Sequence, residues 1–384
     1  MVETSTEIKS LSKENLKGVE ELIESFIELK RFPGAVLSII NFSNEILYEK
    51  AFGYTTYDSE KLPVDLDTIY DVASLSKVIA TTSALMKLYE EGKFSLDDPV
   101  CKFIPEFAEN GKERITIKNL LIHNAGLKPF SLFYKYLTDP KDIKAEIFKS
   151  AFENPPETKT VYSDYCFITL GEIVERLTGK SLSDYCKENF FGPLEMTSTM
   201  YKPPKEILKR VAPTEDDDYY RMRLVQGTVH DETADLLGGV AGHAGVFSTV
   251  KDIQKFLFMI INGGSYKNSK GEVITLFKPE TIALFTKRVE GLPHSNSRAL
   301  GWDTQPSDFS TSFGKKGSDG SFCHTGFTGT SIIVDQKRKV GIILLTNRVH
   351  PKRDSEGAKQ ILDTRSRIHD LVFDAVDNEA AKSK

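Results

Sequence analysis

The sequence predicts an α+β protein: an antiparallel sheet flanked by N- and C-terminal helices, plus a mostly helical inserted domain. Three observations carry this. Near the N-terminus two apolar runs, Ala35 to Ile40 and Ile46 to Phe52, flank Phe42-Ser43-Asn44-Glu45 and read as a hairpin. Near the C-terminus Thr330 to Val334 and Val340 to Leu345 flank the polar turn Asp335-Gln336-Lys337-Arg338-Lys339, a second hairpin. Between them, from about Leu96 to His230, strong strand pairs are missing. Residues 1–95 and 235–384 are therefore expected to form one α/β domain, and residues 96–234 a mostly helical insert.

The elements follow in order. Ser12 reads as a helix N-cap, and Leu16, Val19, Leu22, Ile23, Phe26 and Ile27 recur behind it at helical spacing. Pro33-Gly34 breaks that helix before the first hairpin. A helix is expected to start near Ser74, to run through Val78, Ile79, Thr82, Leu85, Met86 and Tyr89, and to end at Gly92. Ile117 to His123, Phe167 to Leu177 and Leu182 to Phe190 read as helices of the insert. Ile361, Leu362, Ile368, Leu371, Val372 and Val376 mark a long C-terminal helix. Asp58 to Asp67 and Glu215 to Asp218 read as charged loops. The acidic run is expected to be solvated, because it lacks the spaced ligands and turn glycine of a calcium loop.

Composition bounds the function. The chain has 384 residues, 40% hydrophobic and 27% charged, which excludes disordered and collagen-like classes. Fifty basic against 55 acidic residues give a net charge of −5, so nucleic acid and anionic lipid are not expected partners. Cys101, Cys166, Cys186 and Cys323 form no Cys-x-x-Cys pair and read as reduced thiols of a cytoplasmic protein. Met1 to Lys17 has no apolar core of a signal peptide, and no apolar run reaches the ~18 residues of a membrane span.

Several chemistries lack their signatures. There is no Gly-x-Ser-x-Gly elbow. Gly179-Lys180-Ser181 has Val174 where a phosphate loop needs glycine, and Gly238 to Gly245 does not fit dinucleotide spacing. No His-Glu-x-x-His occurs, and the seven histidines are scattered. No metal and no cofactor is implied.

One segment stands out: Tyr70-Asp71-Val72-Ala73-Ser74-Leu75-Ser76-Lys77. In a helix starting near Ser74, Lys77 shares its face one turn on. An amine there can accept the serine proton if its pKa is lowered. Ser-x-x-Lys alone says little: it also starts at Ser10, Ser248 and Ser312, and a plain N-cap explains Ser74 equally. Only Ser74 heads a strongly amphipathic helix.

Ser74-Leu75-Ser76-Lys77, then Tyr162-Ser163-Asp164, then His324-Thr325-Gly326 together resemble the serine β-lactamase and penicillin-binding-protein superfamily. The branch it is most similar to is that of class C β-lactamases, DD-peptidases and related esterases. Ile115 to Leu127, Gly227 to Glu232 and Gly242 to Thr249 are also similar to family segments. The resemblance runs from about Pro33 to Arg348. It implies a β-lactamase/transpeptidase-like fold and a small ester, amide or peptide substrate. Ser74 would be the nucleophile that forms an acyl-enzyme. Lys77 would help deprotonate it. Tyr162 would be the second proton carrier, its phenolate favoured by cationic Lys77. The backbone N–H groups of Ser74 and Phe327 would form the oxyanion hole. Asp164, Thr325 and Gly326 would contact substrate. Tyr162 as an ordinary half-buried tyrosine, and His324-Thr325-Gly326 as a plain strand start, remain alternatives.

Two departures bear on activity. Asp164 stands where the tyrosine branch commonly has asparagine, and an ionised Asp only accepts hydrogen bonds. His324 stands where the family usually has lysine, replacing a permanent cation by a group that titrates near pH 6.5. Both point away from an efficient β-lactamase, towards an esterase or peptidase. A catalytically weak protein that binds cell-wall fragments is the other reading. His230, Asp231 and His243 either border the cleft or cap and orient loops. Trp302 is either a cleft wall or a core anchor.

Overall fold

Two hairpins and a long C-terminal helix frame the protein in the computed structural model, which describes residues 7–291, 297–305, 314–353 and 355–382. Helix α1 (Lys13–Glu28) buries Leu16, Val19, Ile23 and Phe26. Ser12 precedes it, but its hydroxyl caps nothing; its backbone amide donates to Glu379 instead. Strands β1 (Gly34–Asn41) and β2 (Ile46–Gly53) form the first hairpin, and Asn41 Oδ1 accepts the amides of Ser43 and Glu45 in its turn. Next come the short strand β3 (Tyr70–Asp71) and helix α2 (Ser83–Glu90).

The middle of the chain holds α3 (Ile117–Leu121), α4 (Pro140–Lys149), α5 (Asp164–Thr178) and α6 (Leu182–Cys186). It also holds three two-residue strands: β4 (Met200–Tyr201), β5 (Asp216–Asp217) and β6 (Arg223–Leu224). Helix α7 (Glu232–Leu236), strand β7 (Val246–Ser248) and helix α8 (Val250–Ile261) lead back to the sheet. A hairpin of β8 (Ser265–Lys267) and β9 (Val273–Thr275) and helix α9 (Pro279–Thr286) follow. The chain closes with β10 (Asp303–Thr304), β11 (Phe322–Thr325), β12 (Ser331–Asp335), β13 (Val340–Thr346) and α10 (Ser355–Lys382).

The main sheet has the order β10-β11-β12-β13-β1-β2, all neighbours antiparallel. It thus joins strands from both chain ends, with Leu37 opposite Leu344 and Cys323 opposite Ile333. Alternation sorts its side chains. Ala35, Leu37, Ile39, Ile342 and Leu344 face α1 and α10, where Ile23, Phe26, Ile368 and Val372 meet them. Val36, Ile40, Ile343 and Leu345 face α8 and the main core. Both faces are covered, so β1 is buried along its whole length and reads as an unbroken apolar run.

Three expectations change. The segment after Ser74 is not one α-helix: Ala73–Leu75 is a tight 3₁₀ turn, Lys77–Thr82 a wide π-type turn, and only then does α2 begin. π-type turns recur at functional sites. The acidic run is only half solvated: Asp216 and Asp218 are exposed, but Glu215 and Asp217 are buried, paired with His230 and Arg221. Burial there requires partners, and the flanking sequence supplies them. Trp302 is a core anchor, buried against Phe256 and Phe322. Among the described residues no helix is long and apolar enough to cross a membrane, and all four cysteines are free.

Candidate active site

Ser74 sits at a strained corner. Ala73 before it has φ of +48°, a conformation that costs a residue with a Cβ. Asp71 holds it there: Oδ1 accepts the Ala73 amide at 2.8 Å and Oδ2 the His230 amide at 2.7 Å. The strand β11 and its following turn press against this corner. Thr328 Oγ1 donates to the Asp71 carbonyl at 2.8 Å, and Thr330 Oγ1 to that of Val72 at 3.0 Å. A Cβ on Gly326 would lie 2.5 Å from the Val72 carbonyl oxygen, so only glycine permits this approach.

Lys77 is fully buried, and its ammonium has three donors for three acceptors. It donates to Ser74 Oγ at 3.1 Å, to Asp164 Oδ1 at 2.7 Å and to the His243 carbonyl at 3.1 Å. Burial pushes its pKa down most strongly, but Asp164 and Tyr162 together reverse this and the net shift is upward. That direction favours the ammonium, so Lys77 can receive the serine proton only as it passes one of its own to Asp164. Its expected part in deprotonating Ser74 thus depends on the carboxylate at position 164.

The second segment is pinned by the loop before it. His123, itself at φ +57°, accepts the Ser163 amide on Nδ1 at 3.1 Å, and Asp164 N donates to the Pro129 carbonyl at 2.7 Å. Ser163 caps α5. Tyr162 is half-buried, its ring 4.7 Å from that of His123 and equally far from Lys77 Nζ. Its hydroxyl interacts with Lys77 and Ser74, yet burial outweighs the lysine and raises its pKa. That direction favours the neutral phenol over the expected phenolate.

His324 is buried, with Nδ1 2.9 Å from the Thr325 carbonyl oxygen and no partner for Nε2 among the described residues. Burial, then Lys77 and Arg298, hold its pKa well below 6.5, so it is neutral. A cavity of about 630 Å³ joins these groups, lined by Ser74, Tyr162, Asp164, His324, Thr325, Gly326 and Phe327. The other Ser-x-x-Lys serines lie elsewhere: Ser10 is exposed, Ser248 is buried in β7 against Thr199, and Ser312 lies outside the described residues. One group among the described residues has metal-ligand character, Asp164, Asp231 and His243. The Lys77 ammonium already sits against it, and His243 Nε2 is engaged with Asp231 at 2.8 Å.

Comparison with known proteins agrees with this geometry. The β-lactamase family model matches residues 19–366. The chain belongs to the β-lactamase family. It is a serine hydrolase of that family. It is 34% identical over 379 residues to an N-acetylmuramyl-L-alanine amidase of Bacillus subtilis (strain 168), covering 90% of this chain and 84% of the relative. It is 32% identical over 383 residues to a putative D-alanyl-D-alanine carboxypeptidase of Escherichia coli (strain K12), covering 91% and 86%. Among solved structures it superposes on the octameric penicillin-binding protein homologue from Pyrococcus abyssi with a TM-score of 0.67 and 25% identity, covering 86% of this chain and 73% of that one.

Within this β-lactamase-family site, sequence reasoning missed the arginines. Arg298, Arg348, Arg353 and Arg365 all line the cavity. Arg298 lies 5.4 Å from the Tyr162 ring centroid, and Arg348 4.5 Å from that of Phe327. Single arginines carry no spacing pattern, so only topology reveals them. His230 and His243 orient loops, as one sequence reading had it. His230 bonds Glu215 at 2.8 Å and stacks on Phe327, which borders the cleft. Asp231 caps α7, and His230 and Asp231 both line the cavity, so both readings apply to these two.

Proposed function

We propose that this enzyme hydrolyses small esters or amides through a Ser74 acyl-enzyme, with Asp164 as the proton sink. The observation that supports this is the continuous path Ser74 Oγ, Lys77 Nζ, Asp164 Oδ1, at 3.1 and 2.7 Å. As Ser74 Oγ attacks the substrate carbonyl, its proton passes to Lys77 while Lys77 gives one to Asp164. The Ser74 and Phe327 amides stabilise the oxyanion. Tyr162, a neutral phenol, protonates the leaving group, and its phenolate then takes a proton from the water that attacks the acyl group. Asp164 returns its proton through Lys77 to the departing Ser74 Oγ. Every proton is restored after one turnover.

The substrate is read from the cavity walls. Phe130, Leu132, Phe327 and Leu362 are large apolar residues, 39–62% exposed, at this one cavity. Such patches mark binding surfaces. We read them as the site of an apolar acyl or alcohol group. The relatives' names admit amides and D-amino-acid peptides alongside esters. Four free thiols suit a compartment where cysteines stay reduced.

The test is mass spectrometry of the intact enzyme with a fluorophosphonate, beside hydrolysis of p-nitrophenyl acetate. One adduct on Ser74, and turnover lost in Ser74→Ala, is expected. An equal adduct in Ser74→Ala would overturn the assignment. Fragment binding without turnover would favour the binding-protein reading.

A further inference from the structure

The turn from Gly326 to Thr330 carries the Phe327 amide, and all five of its carbonyls have donors. Gly326 O accepts from Gly329 N at 3.0 Å and from the Arg365 guanidinium. Phe327 O accepts Arg348 Nε at 2.8 Å. Thr328 O accepts Arg348 N at 2.9 Å and Thr346 Oγ1 at 3.0 Å. Gly329 O accepts Arg365 Nε at 3.4 Å. Thr330 O accepts Gly326 N at 2.8 Å and an Arg365 Nη at 3.0 Å. Three of the five carbonyls thus converge on one side chain.

Arg365 comes from α10, is 3% exposed and lines the cavity. The carbonyl of Gly326 and the N–H of Phe327 belong to one planar trans peptide and point in opposite directions. Whatever holds that carbonyl aims that amide. A cation on the carbonyl also polarises the peptide and makes its N–H a better donor. We propose that Arg365 is a positioning residue for hydrolysis, setting the direction and polarity of the Phe327 N–H through the Gly326 carbonyl. This rests on the oxyanion role given to Phe327 above. A guanidinium suits the task because its fixed fork reaches several acceptors at once. Burial draws its pKa down to about 9, still cationic at neutral pH.

A role limited to gluing α10 onto the sheet predicts something different. Loss of glue lowers the folded fraction, whereas misaiming an oxyanion donor lowers the rate of each folded site. The experiment measures kcat and KM for p-nitrophenyl acetate in Arg365→Met and Arg365→Lys, with active sites counted by fluorophosphonate titration. In Arg365→Met, kcat per titrated site is expected to fall about 10- to 100-fold with KM nearly unchanged, short of the ~10²–10³ for deleting a donor. Arg365→Lys keeps the charge and is expected to recover part of the loss. Unchanged kcat per titrated site in Arg365→Met overturns the proposal. If Arg365→Met does not fold, Arg365→Lys decides: a several-fold loss in kcat per site supports it, and full activity overturns it. A wild-type enzyme that gives no Ser74 adduct overturns the underlying reading instead.

Discussion

Asp164 Oδ1 lies 2.7 Å from Lys77 Nζ, and the two form an ion pair in which the lysine is fully buried. This pair decides the resting protonation of the site. Without the carboxylate, burial would be the dominant influence on Lys77 and would favour the neutral amine.

Asp164→Asn is therefore expected to lower the Lys77 pKa and change the pH profile rather than simply abolish activity. Near pH 7 the sink is gone and kcat/KM for p-nitrophenyl acetate should fall at least tenfold. As pH rises through the lowered lysine pKa, the neutral amine takes the serine proton directly and the rate recovers. A pH–rate profile from pH 6 to 10 checks this. A loss that is the same at every pH would remove Asp164 from proton transfer.

Tyr162→Phe removes the phenol that interacts with Ser74 and Lys77, so leaving-group protonation must fall to water. A loss of about 10² or more in kcat is expected, the range for an acid–base group. The loss should shrink for esters with good leaving groups, which need little protonation. Comparing p-nitrophenyl with ethyl esters of one acid reads this directly, and equal losses on both would sink the assignment.

Two buried neutral histidines couple stability to pH. His123 and His324 both have folded pKa values well below 6.5, each mainly through burial. The unfolded chain protonates them near pH 6.5 and the folded chain does not, so the unfolded state binds more protons below that pH. Stability is thus full above about pH 6.5 and falls as pH drops, by up to ~1.4 kcal/mol per pH unit per histidine. Glu232, raised to about 7 chiefly by burial, works in the opposite sense between its unfolded value and 7. Urea melts between pH 5 and 7 should show His324→Gln losing less stability on acidification than wild type. Parallel slopes would contradict the neutral assignment.

How much of this was legible beforehand follows from what carries each feature. Both hairpins were readable because short apolar runs bounded by polar turn residues are local signals, whereas the pairing of β1 with β13 joins strands from opposite ends of the chain. Ser74, Lys77, Tyr162 and His324 were reached by the order of short motifs; Ser74, Tyr162 and His324 line one cavity, and Lys77 is buried against Ser74. The ionisation states were not legible. Burial pushes Tyr162 towards the neutral phenol, and a carboxylate 87 residues away in sequence pushes Lys77 towards the ammonium; neither shows in a spacing. The burial of Glu215 was hidden for the same reason, since His230 and Arg353 reach it by tertiary contact, whereas Asp217 pairs with Arg221 only four residues on. Arg365 was invisible as a polar position on an otherwise amphipathic helix.

The last prediction concerns substrate choice. His324 is neutral, with Nδ1 against the Thr325 carbonyl, so this place in the cleft offers an acceptor and not a cation. A β-lactam carries a carboxylate beside the scissile bond, and a simple ester does not. Wild-type enzyme is expected to turn over short p-nitrophenyl esters with higher kcat/KM than a chromogenic cephalosporin. His324→Lys places a second ammonium near Lys77 and Arg298, so the variant should melt at lower temperature. A bound carboxylate relieves that repulsion, while a neutral ester does not. The ratio of cephalosporin to ester kcat/KM should therefore rise, by about tenfold if one partly exposed ionic hydrogen bond is gained. Salt should erode the gain. An unchanged ratio in a folded variant would show that something other than the missing cation disfavours the β-lactam.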